Sequence, residues 1–391
     1  MPMRSLAASF PREIWILFAG TMINRFGSFV LVFLILYLTK RGFTPGEAGF
    51  AVAAYGIGGM AASVLGGQLA DRIGRRRTIA LSMFSAAAAI LMLGRADSLA
   101  GIVVWTVLMG LTAELYRPAS AALLTDLTRP DQRVTVFAGY RLAINFGAMI
   151  GPAVGGLIAE ASFAWLFVGD AITCALFGVI ALTALPEGAR TSAAADAARP
   201  RHSILRDPGF MVFLIASTAV AFMYAQAHSG FALEVSSRGQ PNRVYGLLVA
   251  LNAFLVLLLE LPLSRWTRAR RRRPMIALGW ALIGLGFGLT PWGAGVPWLR
   301  FTVLIWTLGE IVSAPVGAAY VSDVAPDHMR GRYMGAWTLT WGMGYVLGPS
   351  LGGLLFAMGP HALWGVCLGL GAVASTMVML APHSRRPEET A

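Results

Sequence analysis

The chain has 391 residues, of which 57% are hydrophobic and only 13% charged, and its mean hydropathy is +0.66. Soluble domains are about 25% charged, so this composition excludes a protein that is surrounded by water on all sides. The formal net charge of +12 would suggest nucleic acid as a partner of a soluble protein, but here the placement of the arginines indicates membrane topology instead.

Twelve apolar stretches follow one another along the chain, separated by charges or turn residues. Crossing the hydrocarbon takes about 20 apolar residues per helix, and each stretch is close to that length. The predicted spans, numbered 1–12, are 14–38, 45–69, 77–94, 99–124, 134–159, 163–185, 209–233, 244–264, 274–292, 298–322, 331–357 and 360–381. The alternating pattern of a membrane β-barrel does not occur, so the predicted fold class is an all-α membrane protein.

The loops between the spans differ in charge on the two sides of the membrane. Those on the side of the two termini hold 22 arginines and lysines, and the opposite loops hold 6. The positive-inside rule therefore predicts cytoplasmic termini. The longest polar segment, 186–208, has the composition of a flexible linker, which predicts two six-helix halves, 1–185 and 209–391. No phosphate-binding loop of the Walker type is present, so the energy source is expected to be a gradient.

Part of the first half recurs 197 residues later in the second. Residues 118–157 and 315–354 align without a gap, and 12 of the 40 positions are identical, among them Asp126 and Asp323. A parallel repeat of apolar helices is one signature of a secondary transporter.

The loop after span 2 reads Gly67-Gln-Leu-Ala-Asp71-Arg72-Ile-Gly74-Arg75-Arg76-Arg77. It resembles the loop signature G-x-x-x-D-R-x-G-R-R of the major facilitator superfamily at every defined position. The resemblance extends over about residues 14–381 and implies twelve transmembrane helices in two pseudo-symmetric six-helix bundles, the major facilitator fold. It also implies a cytoplasmic gate made of Gly67, Asp71, Arg72, Gly74, Arg75, Arg76 and Asp126.

Two physical expectations accompany this gate. The charge of Asp71 is favoured at a helix N-terminus, and the arginines can reach acidic helix ends such as Asp126. In the second half Ser264 and Thr267 replace the Asp and Gly of the signature, so we expect Asp71 to carry more of the gating contact. The alternative is that Arg75, Arg76 and Arg77 only set the topology.

Span 5 carries a glycine pattern that resembles the motif of antiport exporters in this superfamily. Its residues are Gly147, Gly151, Pro152, Gly155 and Gly156. Glycines at i, i+4 and i+8 make a smooth face for close helix packing, and Pro152 removes one backbone hydrogen bond. Span 11 repeats the pattern at 344–353, so shared packing geometry is the alternative explanation.

Charged side chains inside the spans cost about 2.5–3.5 kcal/mol each on insertion scales. A carboxyl there can load and release a proton, because desolvation disfavours its ionised form. Glu310 has no opposite charge within its own span and is the first proton-coupling candidate, ahead of Asp170 and Glu114. Further intramembrane polar or counter-ion candidates are Asn24, Arg25, Arg117, Arg141 and Asn145. The alternative is structural ion pairs, such as Glu114–Arg117 or Arg141–Glu310.

These features predict a secondary transporter of the bacterial inner membrane that resembles proton-coupled drug exporters. We expect antiport export of a small lipophilic or amphipathic compound by alternating access. The expected partners are the substrate, protons and membrane lipids, with no nucleic acid, cofactor or metal, and the protein is expected to be a monomer and not an enzyme.

This chain departs from such exporters in two places. No Gly-rich stretch follows Arg117, and Asn24 and Arg25 replace an acidic residue of span 1. The alternatives are a proton-coupled or facilitative importer of a nutrient, a transport-inactive sensor and an intramembrane enzyme. No catalytic residue spacing supports the enzyme.

Overall fold

The computed structural model describes residues 10–129, 132–188, 204, 207–268, 270–326 and 329–382. Within these residues the protein is built from α-helices joined by short turns, and none of them is in a strand. The all-α prediction is therefore confirmed for this part of the chain. The predicted linker, 186–208, lies largely outside it.

Eight helices make up the six spans of the first half, because spans 1 and 4 are each divided in two. They are α1 (Arg12–Phe26), α2 (Phe29–Lys40), α3 (Pro45–Ile73), α4 (Arg75–Leu93), α5 (Leu99–Glu114), α6 (Tyr116–Leu127), α7 (Arg133–Ala161) and α8 (Phe163–Ala184).

Seven helices make up the six spans of the second half, where span 7 is divided by the 3₁₀ turn Gln226–His228. They are α9 (Pro208–Ala225), α10 (Gly230–Ser237), α11 (Asn242–Arg268), α12 (Arg272–Gly288), α13 (Gly295–Val324), α14 (Arg330–Met358) and α15 (Pro360–Leu380).

Eleven of the twelve predicted spans are long and apolar enough to cross a membrane within the described residues. The remaining one is α14, which has 29 residues but contains many Gly, Trp and Tyr residues that lower its hydropathy. Large apolar side chains are exposed along the helices, for example Val64, Trp165 and Leu261, at 62%, 62% and 74%. Exposed apolar area on this scale would promote aggregation in water. It is the surface expected of helices that contact lipid.

The described helices fall into two compact units. One comprises Met1–Leu34 and Ala54–Ala198, and the other comprises Ile35–Ala53 and Arg199–Ala391. Residues 35–53 join the second unit because α3 begins against the glycines of α14: a Cβ on Gly49 would collide with the Pro349 carbonyl, and one on Gly353 with the Pro45 carbonyl. The division into halves 1–185 and 209–391 stays a prediction.

Span 1 breaks at Gly27 and Ser28, between α1 and α2. The backbone N–H of Val30, in the first turn of α2, donates to Asp170 Oδ2 of α8 at 3.0 Å. The first N–H groups of a helix lack internal partners, and an acidic side chain at this end also meets the positive end of the helix dipole. Asp170 therefore stabilises a helix that begins inside the membrane.

The other two breaks have different causes. In span 4, Pro118 lies in the first turn of α6 and has no N–H to offer the Glu114 carbonyl, which interrupts the helix there. In span 7 the fully buried Gln226 donates through Nε2 both to the Phe222 carbonyl of its own helix at 3.1 Å and to the Gly348 carbonyl of α14 at 2.9 Å. Ser229 donates in turn to Gln226 Oε1 at 3.1 Å, so the side-chain amide of Gln226 is hydrogen-bonded through both its nitrogen and its oxygen.

The glycine-rich helices α7 and α14 each pack closely against the first span of their own unit. A Cβ on Gly147 would lie 2.6 Å from the Met22 carbonyl oxygen of α1. A Cβ on Gly344 would lie 2.5 Å from the Ala221 carbonyl carbon of α9. Both helices thus pack with backbone contact against span 1 or span 7, and no larger residue fits at these points.

We expect Gly344→Ala to destabilise the protein, because the added methyl group has no room against Ala221. Overpacking of this kind costs about 1–3 kcal/mol. Gly335→Ala in the same helix is the matched control, since nothing lies within 4 Å of a Cβ there and alanine favours a helix by about 0.5–1 kcal/mol. Thermal unfolding in detergent measures both, and equal melting temperatures for the two variants would contradict the packing assignment.

Candidate functional site

The first unit holds a carboxylate between two arginines. Glu114, at the end of α5, lies 2.7 Å from Arg117 Nε and 3.7 Å from Arg25 Nη2. Tyr55 of α3 donates its hydroxyl proton to Glu114 Oε1 at 2.7 Å. Arg25 also donates through Nε to the Tyr116 hydroxyl at 3.1 Å. The structure therefore confirms the Glu114–Arg117 pair and adds Arg25 as a second counter-ion.

The second unit holds a carboxylate among neutral donors. Glu310 of α13 accepts from the Tyr224 hydroxyl at 2.6 Å and from Asn252 Nδ2 at 3.0 Å. The Asn252 amide also donates to Thr307 Oγ1 at 3.0 Å. Among the described residues no cation forms an ion pair with Glu310. The sequence predicted the absence of an opposite charge only within its own span.

The two carboxylates are held at corresponding places in the repeat. Tyr55 and Asn252, which donate to Glu114 and Glu310 respectively, are separated by the same 197 residues as the repeated segment. In the first half, span 2 thus supplies one donor to the carboxylate of span 4. In the second half, span 8 supplies one donor to the carboxylate of span 10. The difference lies in the remaining partners, which are guanidinium groups in the first half and neutral polar groups in the second.

A pocket within the second unit opens beside Glu310. Its walls are mainly aromatic, with Phe213, Tyr224, Trp280, Trp337 and Trp341 among the lining residues. Small residues of α13, Ala314 and Gly317, complete it. The Trp337 indole donates to Ser217 Oγ at 3.0 Å, which fixes one wall. The Glu310 carboxylate is thus the charged group of an otherwise apolar and aromatic surface.

Asp170 has a different environment from Glu310. It is 5% exposed, it accepts the Val30 N–H, and Cys174 Sγ lies 3.7 Å from Oδ1. Asn24 donates to that same sulfur at 3.4 Å. These contacts give Asp170 and Asn24 a place in the core of the first unit, where Asp170 acts as a helix cap.

Two further polar candidates lie together on α7. Arg141 is exposed and Asn145 half-buried, one turn apart as the sequence predicts. The alternative pairing of Arg141 with Glu310 stays a prediction.

The predicted gate loop forms its contacts through Arg75, which is almost fully buried. Its guanidinium lies 3.2 Å from Asp126 Oδ2 and 3.5 Å from Asp71 Oδ1 and donates to the Ala70 carbonyl at 3.2 Å. Gly74 precedes it with φ of +94°, a conformation that favours glycine. The expectation that an arginine of this loop reaches Asp126 is confirmed.

The residues that follow span 6 contact this loop through Glu187. Glu187 forms an ion pair with Arg76 and lies 3.4 Å from Arg77 Nε, and its carbonyl accepts the Arg75 N–H at 3.2 Å. Arg75, Arg76 and Arg77 therefore each form an ion pair with an acidic side chain, and their role as a gate stays a prediction.

The second unit repeats the gate contact without the sequence signature. Arg272 Nε lies 2.5 Å from Asp323 Oδ2, and both residues are 197 positions beyond Arg75 and Asp126. Arg273, which corresponds to Arg76, donates to the Ala381 and Pro382 carbonyls at 2.7 and 2.8 Å. The 197-residue spacing, and not the motif, gives this correspondence. At this spacing Arg268 and Arg271 stand at the positions of Asp71 and Gly74, so the second unit keeps the ion pair although the motif itself is lost.

The family model of the Major Facilitator Superfamily matches residues 17–240 and 230–391. The chain belongs to the major facilitator superfamily. It is a multi-pass membrane protein and a transporter, as the resemblance of the gate loop implied.

Relatives in this superfamily cover nearly the whole chain. The chain is 28% identical over 392 residues to the MFS-type transporter YqjV of Bacillus subtilis, covering 96% of this chain and 95% of that protein. It is 26% identical to the multidrug resistance protein MdtH of Aeromonas hydrophila, covering 94% of each. It is also 26% identical to a Na(+), Li(+), K(+)/H(+) antiporter of Planococcus maritimus, covering 82% of this chain and 84% of that one.

Solved structures of the superfamily share the fold. The nucleoside transporter NupG superposes with a TM-score of 0.82 at 14% identity, covering 94% of this chain and 98% of that one. A D-xylose-proton symporter superposes with a TM-score of 0.78 at 16% identity, covering 95% and 98%. At these identities the likeness confirms the major facilitator fold and says nothing of the substrate.

We expect Asp126→Ala to cost more stability than Asp323→Ala, although the two aspartates occupy equivalent positions. Arg75 is 4% exposed and Arg272 is 42% exposed. Leaving a buried charged group without its partner costs about 1–3 kcal/mol, whereas an exposed ion pair contributes less than about 1 kcal/mol. Unfolding of both full-length variants in detergent measures the difference, and a larger loss for Asp323→Ala would contradict it.

Proposed function

We propose that this transporter exports a small lipophilic or amphipathic compound in exchange for protons, by alternating access across a bacterial inner membrane. Both termini lie on the cytoplasmic side in this proposal, and the proton gradient is the energy source. The observation that carries it is the contrast between Glu310, which has only neutral partners among the described residues, and Glu114, which lies between Arg25 and Arg117.

The chemistry of the two carboxylates assigns them different roles. Ion pairing with two arginines keeps Glu114 charged, since protonation would leave two guanidinium groups without a counter-ion inside the membrane. Glu310 faces no such constraint, because Tyr224 and Asn252 are neutral donors that can hydrogen-bond either form of the carboxyl. Glu310 therefore is the group that loads and releases the transported proton, and Asp170 stabilises the break in span 1.

The aromatic pocket supports a lipophilic substrate. Aromatic surfaces accept varied apolar ligands while a few polar groups fix their orientation. The names of the relatives agree with this proposal, since MdtH is a multidrug resistance protein and the Planococcus maritimus relative exchanges cations for protons. In the proposed cytoplasmic gate, Arg75–Asp126 and Arg272–Asp323 each hold helix ends together within their own unit.

We expect Glu310→Gln to abolish export driven by a pH gradient while exchange of labelled for unlabelled substrate survives. Glutamine keeps the shape and accepts the Tyr224 hydrogen bond but cannot carry a proton. The measurement is uptake of a fluorescent amphipathic dye into inverted membrane vesicles energised by a pH gradient, together with exchange in the absence of a gradient.

Glu47→Gln is the control for this experiment, because Glu47 is a half-buried carboxylate in the first turn of α3 whose hydrogen bonds are made to Thr44, and the substitution should leave transport unchanged. Gradient-driven uptake by Glu310→Gln at the rate of the unsubstituted protein would refute the assignment of Glu310. Dye movement from outside to inside in right-side-out vesicles, driven by the same gradient, would favour the importer.

A further inference from the structure

The polar cluster around Glu114 has more positive than negative charge. Arg25 and Arg117 both approach this single carboxylate. Asp170, the other carboxylate inside the spans of this unit, receives the Val30 N–H and forms no ion pair with either arginine among the described residues. At ion-pair distance the two guanidinium groups therefore share one carboxylate, which leaves one positive charge of the cluster without a carboxylate of its own.

Donor groups in this cluster point to a ligand. Arg25 Nη2 is enclosed and donates a hydrogen bond to no described residue. Arg117 Nε lies 2.7 Å from Glu114 Oε2. Within the described part of the chain, its two terminal nitrogens donate no hydrogen bond. Its side chain is 52% exposed. A guanidinium in the middle of a span is too costly to place in lipid, so this exposed end faces a polar space that a ligand can enter.

The charge count determines the class of ligand. One uncompensated positive charge is balanced by a monoanion, and a dianion such as a phosphate monoester would leave the site negative. The planar fork of arginine matches the two oxygens of a carboxylate and binds it through two parallel hydrogen bonds.

We propose that Arg117, with Arg25 behind it, binds the carboxylate of an amphipathic monoanion, so that the substrate class is that of organic acids with an apolar body. The proposal rests on the proposed function for the role of this ligand as the transported substrate. The binding site shares no residue with the proposed proton carrier, because Glu310 and its partners Tyr224 and Asn252 lie in the other unit.

Four probes of similar size test the site on the full-length protein in detergent, without a gradient. They are 4-tert-butylbenzoate, its neutral isostere 4-tert-butylbenzamide, the dianion 4-tert-butylphenyl phosphate and the cation benzyltrimethylammonium. Isothermal titration calorimetry measures the dissociation constants for the unsubstituted protein and for Arg117→Gln, Arg117→Lys and Arg300→Gln. Arg300 is an exposed arginine of α13 and serves as the control.

We expect the benzoate to bind about ten-fold or more tightly than the amide, as a charge-assisted hydrogen bond predicts, and more tightly than the phosphate. Arg117→Gln should remove this preference, Arg117→Lys should retain part of it, and Arg300→Gln should leave it unchanged. Melting temperatures within a degree or two show that the variants are folded.

The proposal is overturned if the benzoate and the amide bind equally, if Arg117→Gln binds the benzoate unchanged, if no probe binds, or if the cation is preferred. Preference for the cation would assign substrate recognition to Glu310 and its aromatic pocket. Uptake of the benzoate into vesicles with and without a pH gradient then separates the two proposals. Binding without gradient-driven movement refutes proton antiport alone, and gradient-driven movement of a dye without Arg117-dependent binding refutes the carboxylate site alone.

Discussion

The energy cost of a charge in hydrocarbon governs the interior of this protein. Each ionisable group inside the spans must be compensated by an opposite charge, by a helix terminus or by loss of its own charge. Glu234 is an example of the first solution, since Arg238 lies at 2.7 Å and the Trp364 indole donates at 2.9 Å. Asp170 follows the second, at the first turn of α2. Glu310 has neither partner among the described residues, which is why transport chemistry is assigned to it.

The two halves keep a common scaffold and differ in the chemistry placed on it. In the first half a glycine-rich helix packs on span 1, and an arginine at the start of span 3 binds an aspartate at the end of span 4. In the second half the corresponding helix packs on span 7, and the corresponding arginine and aspartate lie at the start of span 9 and the end of span 10. These contacts depend on backbone shape and on one charge each, so they tolerate extensive sequence change. Other polar groups in the middle of the spans occur in one half only: Arg25 corresponds to Phe222, and Asp170 to Cys367. Coupling and recognition are thus free to differ between the halves.

Much of the fold could be read from the sequence, because apolar length and the gate loop report directly on helices in a membrane. The broken helices could not, since a Gly-Ser or Ser-Gly step such as Gly27-Ser28 or Ser229-Gly230 also occurs in unbroken membrane helices, and the residues that satisfy the breaks come from distant spans. The neighbours of the carboxylates were also missed: Tyr55, Tyr224 and Asn252 are ordinary span residues until the helices pack. The 197-residue offset between Tyr55 and Asn252, and between Arg75 and Arg272, was the available signal.

Proton antiport as proposed requires above all that Glu310 is the carboxyl that changes its protonation state. Infrared difference spectroscopy of the protein in lipid, recorded between acidic and alkaline buffer, observes the C=O band of a protonated carboxyl directly. We predict that this band is present in the unsubstituted protein, persists in Asp170→Asn and disappears in Glu310→Gln. A band that survives in Glu310→Gln and is lost in Asp170→Asn would contradict the account, because the proton would then reside on the helix cap of span 1.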